Sequence, residues 1–166
     1  MGTISQRNYN VINWSAVVMI TIAFWMSAIT VLDLVIIPTL SSVGMMGDAS
    51  FASAGYVLFG VFNHLEIVCA AIILTGVLSY HHLIHQYNYR SILLAIALLL
   101  ITLVDTYLLT PQMSGLGLSL NFFETESIMS TPMIYLHQSY WVLDVVKLCC
   151  CLFILRHCYQ EEHRTN

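Results

Sequence analysis

The stretch "YLHQSYWVLDVVKLCC", residues 135–150, decides how this chain is read. It lies in an apolar run, yet it carries His137, Asp144 and Lys147. An ionisable group inside a bilayer costs about 2.5–3.5 kcal/mol on insertion scales, so such groups have a partner or a task. His137, Tyr140, Asp144, Lys147 and Cys151 recur at three- and four-residue spacing, which puts them on one face of a helix. A helix with one polar stripe turns that stripe into a bundle and shows lipid the rest. Asp144 and Lys147, three apart, have the spacing to pair on their own helix; alternatively Lys147 reaches across the bundle to Glu66.

The rest of the chain supports a membrane setting. Of 166 residues, 58% are hydrophobic and only 8% are charged, against roughly 25% charged in a soluble domain. Mean hydropathy is +0.80. There are too few charges to cover a water-soluble surface. The formal net charge is −4, and no basic block points to nucleic acid. Zinc-type Cys/His spacing and a Gly-rich phosphate loop are both missing. Cys69, Cys149, Cys150, Cys151 and Cys158 form no C-x-x-C pair and read as small apolar helix residues.

A bilayer core needs about 20 apolar residues in a helix. Four runs qualify, at about 11–40, 55–80, 91–109 and 133–155. Pro38 is expected to end the first, and 41–54, 81–90 and 110–132 to be connections. The long last connection holds Pro111, Phe122, Phe123, Glu124 and Glu126. Short links favour an antiparallel up-down-up-down arrangement. The expected fold is therefore all-α, a single integral membrane four-helix bundle without repeats. Arg7, Arg90, Arg156 and Arg164 all fall on one side of four spans, so the positive-inside rule puts both termini in the cytoplasm. The membrane is the plasma (inner) membrane, or a thylakoid or other internal one.

Depth follows from 1.5 Å of rise per residue. His137 lies roughly 6 Å from the outer end, Asp105 roughly 7 Å, Asp33 roughly 10 Å and His64 roughly 13 Å, with Asp144 and Lys147 near the middle. Asp33, Glu66, Asp105, Asp144 and Lys147 thus form one intramembrane polar cluster, open or nearly open to the outer side. The inner half is almost purely apolar. Helix two sets Gly60, His64, Ala71 and Thr75 on one face, where Gly60 leaves room for close packing or a flat cofactor. His64 and His137 are candidate axial ligands of haem b. His81 and His85, at i and i+4, are a weak candidate metal pair that lacks a third ligand.

Three motifs carry a resemblance: "VFNHLEIVCA" (61–70), "YLLTPQMSGLGL" (107–118) and "YLHQSYWVLD" (135–144). Their order resembles the four-helix membrane family that includes transmembrane protein 205. More distantly it is similar to copper-resistance protein D-like membrane domains and the bacterial four-helix protoporphyrinogen oxidase. The likeness rests on His64, Thr110–Pro111 and His137 and covers most of the chain. Gln112 stands where the first family carries an arginine. The oxidase resemblance implies haem on a histidine and redox chemistry on a porphyrinogen. Three functions follow as expectations. The first is a non-catalytic small subunit or assembly factor, with the lipid bilayer and other membrane-protein subunits as partners. The second is a haem-binding redox protein or oxidase using His64 and His137. The third is a small ion or metal transporter.

Overall fold

The computed structural model describes residues 13–43, 49–84, 89–123 and 131–165. They are all helical apart from the ends of segments. The first helix comprises α1 (Trp14–Val31), a π-helical turn (Leu32–Ile36) and α2 (Ile37–Ser42). The second is α3 (Ala49–Ile84). The third comprises α4 (Tyr89–Val104), a second π-helical turn (Asp105–Leu109) and α5 (Thr110–Phe123). The fourth is α6 (Thr131–Thr165). Asn13 opens the first helix as an N-cap, its side-chain oxygen accepting from the Ala16 N–H at 3.2 Å.

The helices stand in a square. Each packs against its chain neighbours, and the fourth closes on the first. Among the described residues no backbone contact joins the first helix to the third, or the second to the fourth. Pairings along the second helix run in opposite senses: Trp25 meets Glu66 while Val18 meets Gly76, and Asn63 meets Thr110 while His64 meets Tyr107. The first and third helices are therefore both antiparallel to the second.

Three helices are long and apolar enough to cross a membrane: Trp14–Leu40, Ala54–Tyr80 and Tyr89–Leu116. The fourth, which has Asp144 and Lys147 in the middle of its apolar run, is not one of these three. Phe24, Leu65, Leu100 and Phe153, one from each helix, are exposed on the outside. Val18, Ile22, Trp25, Ile73, Leu98, Cys151 and Ile154 fill the inside.

Two expected boundaries are overturned. Pro38 does not end the first helix, and Pro111 does not open a connection; α2 and α5 contain them. A proline ring collides with the carbonyl four residues back and brings no N–H to the ladder. Here those carbonyls belong to Leu34 and Tyr107, each inside a π turn that begins six residues before its proline. The wider ring, closed by Ile37 N–H on the Leu32 carbonyl and by Thr110 N–H on the Asp105 carbonyl, lets the helix pass the proline unbroken. Phe122 and Phe123 thus belong to α5, while Glu124 and Glu126 lie outside the described residues.

The close-packing glycine also differs from expectation. Gly60 has open space around it, whereas a side chain at Gly76 would run into the Val18 side chain. The first and second helices pack tightly there, towards the end of the bundle opposite the charged residues.

Candidate functional site: a buried lysine among carboxylates

Lys147 projects from the polar stripe of α6 into the centre of the square. Its Nζ lies 2.8 Å from Glu66 Oε2 on the second helix, 3.0 Å from Asp105 Oδ2 on the third and 2.6 Å from Asp144 Oδ1 one turn back. Lys147 and Asp105 have no solvent exposure, and Glu66 has 1%. A lysine stem is long enough to span a diagonal that no backbone contact bridges. One ammonium thereby ties three helices together.

The first helix takes part through a neutral donor and an acid. Trp25 Nε1 on α1 donates to Glu66 Oε1 at 2.9 Å. Glu66 therefore receives a donor on each oxygen, which suits an ionised carboxylate. Asp33, in the first π turn, is half-buried and stands within hydrogen-bonding reach of Asp144. Asp105 differs from the others. It is close to Lys147, yet neither of its oxygens meets hydrogen-bond geometry with any partner.

A second polar layer sits one helical turn nearer the end where α5 begins. The Tyr140 hydroxyl donates to Asn63 Oδ1 at 3.0 Å, and Asn63 Nδ2 donates to Thr110 Oγ1 at 2.6 Å. All three are buried. Lys147 Nζ is 5.4 Å from the centre of the Tyr140 ring, within cation–π range, and Phe59 meets that ring edge-on at 5.9 Å. Sequence reasoning passed over Asn63, Thr110 as a core residue, and Trp25. Asn63 was findable, because an amide three residues before Glu66 in an apolar run shares its face. Nothing in the sequence singled out Trp25.

The π turn explains how Asp105 and Thr110 both serve the core. Residues five apart are about 140° apart on an α-helix. In a π turn they come close to one face. Asp105 can thus meet Lys147 while Thr110 meets Asn63.

The histidines lie elsewhere. His64 is exposed on the second helix; its Nδ1 is 2.6 Å from the Gly60 carbonyl, and its ring meets Tyr107 edge-on at 6.5 Å. His137 lines a shallow depression on the fourth helix with Ile134, Gln138, Trp141 and Val142. The two belong to diagonally opposed helices. Gly60, Ala71 and Thr75 likewise sit on the outer side of the second helix, in open or half-open positions. His85 and the His81 side chain lie outside the described residues. Among the described residues no group of His, Cys, Asp or Glu has the geometry to hold a metal ion.

No family model, curated protein or solved structure matches the chain.

Proposed function

We propose that the chain is an integral membrane protein with four spanning helices and both termini on the cytoplasmic side. In this reading it serves as a non-catalytic small subunit or assembly factor of a larger membrane complex. The observation that carries it is the closed interior. On the inner side of the ion cluster the core is Val18, Ile22, Ala70, Ile73, Val77, Ala95, Leu98 and Ile154. An ion crossing a membrane needs polar ligands to replace its hydration shell along the way. Among the described residues this block adds only the thiols of Cys69, Cys150 and Cys151 and, at its far end, the hydroxyls of Ser15 and Ser91, too few to line a path through a single copy.

The outside supports the same reading. Leu34, Val61, Leu93 and Val142 are exposed on the four helices in turn. Such surfaces suit lipid or neighbouring membrane helices. Arg90 and Arg156 lie towards the same end of the bundle, exposed to solvent, in keeping with the positive-inside rule.

The test is purification at native expression level in mild detergent, followed by native mass measurement. The expected result is a species heavier than the 18.7 kDa chain that contains other subunits in fixed ratio. A particle holding copies of this chain and nothing else overturns the subunit reading.

A further inference from the structure

The contacts at Lys147 do not balance. Glu66, Asp105 and Asp144 each stand within 3.0 Å of a single ammonium. With every group ionised, this contact set carries two more negative charges than positive ones. Asp33 adds a fourth carboxyl beside Asp144. Excess charge in a water-excluded site is removed by neutralising a group. A metal ion is not the agent here, since the ammonium occupies the centre and no metal geometry exists among the described residues. The remaining agent is the proton.

The geometry also selects the carboxyl. Glu66 already receives hydrogen bonds on both oxygens, from Lys147 and from Trp25. Asp144 makes the shortest contact to Lys147. Asp105 is fully buried; its Oδ2 lies 3.0 Å from Lys147 Nζ outside hydrogen-bond geometry, and its Oδ1 has no hydrogen-bond partner. A protonated Asp105 removes one of the two uncompensated negative charges from this contact set. Of the four carboxyls, Asp33 is the least enclosed.

We propose that this cluster is a proton-binding site, in which Asp105 holds an exchangeable proton that enters and leaves by way of Asp33. Hydronium gives a proton to the Asp33 carboxylate and becomes water. Asp33 passes that proton to Asp144 and returns to carboxylate; Lys147, in contact with both Asp144 and Asp105, then gives one proton to Asp105 and takes one from Asp144. Lys147 is an ammonium before and after. The other titratable groups around the site are accounted for. The Tyr140 hydroxyl is committed to Asn63, and Cys69 and Cys151 are buried in the apolar core. The apolar block beyond the cluster makes this a site loaded from one side only. That side is the outer one if the orientation proposed above holds; the proton itself does not depend on it.

Infrared spectroscopy of the purified chain in lipid nanodiscs tests this, titrated from mildly acidic to mildly alkaline pH. The expected result is a protonated-carboxyl C=O band in the unmodified protein that persists at neutral pH and shifts down in D2O. Asp105→Asn removes that band. Asp33→Asn keeps it but slows its exchange in D2O at least tenfold. Absence of any such band in the unmodified protein at neutral pH overturns the proposal without recourse to a variant. So does a band unchanged in a folded Asp105→Asn. Neither result bears on which subunits co-purify, so the two readings fail separately.

Discussion

Lys147 is the residue on which most of the buried polar structure depends. Its value lies less in net stabilisation than in the damage its loss would do. Replacing a whole buried ion pair with apolar side chains is often neutral, but removing one partner costs about 3–5 kcal/mol because the other charge stays buried. Lys147→Met leaves Glu66, Asp105 and Asp144 facing one another without a cation. We expect a clear fall in the detergent melting temperature, and a melt equal to that of the parent would contradict the paired-charge core. Trp25→Phe is a gentler probe. It keeps the ring but leaves Glu66 Oε1 without its donor, at a cost of about 1–3 kcal/mol for a buried unsatisfied acceptor. The two losses should be less than additive, since both act through Glu66, and a double-mutant cycle measures that coupling.

At the scale of the helix, two devices set the geometry. One is the glycine at 76, where the first and second helices meet with no room for a side chain. Gly76→Ala forces Val18, itself buried, to move. Overpacking of this kind costs about 1–3 kcal/mol. Pairing it with Val18→Ala restores the space, so the double variant should melt closer to the parent than Gly76→Ala alone. The other device is the π turn paired with a downstream proline, present in both the first and third helices. Each turn contains one of the cluster's aspartates. Pro111→Ala supplies the missing N–H and lets the third helix return to α-helical spacing. Asp105 and Thr110 would then be unable to face the core together. The expected consequence is loss of either the Lys147 or the Asn63 contact, visible as a lower melting temperature despite alanine's better helix propensity.

For the molecule as a whole the question is which way it sits. The second helix runs from Ala49 to Ile84, so its two ends, next in sequence to 44–48 and 85–88, lie at opposite ends of the bundle. In a cysteine-free background, Asn88→Cys should react with a membrane-impermeant thiol reagent only from the cytoplasmic side. Asp48→Cys should react only from the other side. Reversed labelling would overturn the orientation, and labelling of both from one side would overturn the topology.

Much of the architecture was legible in the residues. Apolar runs of bilayer length mark the helices, and the three-four spacing of Tyr140, Asp144 and Lys147 marks the inward face of the fourth, because helical periodicity is a local property of the chain. Short polar connections imply neighbours in sequence are neighbours in space. Local rules failed where a contact depends on two distant segments. Reading Pro38 and Pro111 as boundaries was reasonable from the sequence, since α-helical geometry gives a proline no place. Only the assembled bundle shows the ladder widening instead of breaking, with neighbouring helices packed against the turn. The same widening brings Asp105 and Thr110 to one face, which no 3.6-residue pattern can express. Which carboxylates meet Lys147, and that Trp25 caps Glu66 while Asp105 goes without a hydrogen bond, is likewise decided by the diagonal of the square. Sequence spacing gives the direction a side chain takes from its own helix; the partner waiting there is set by how four helices close around a shared interior.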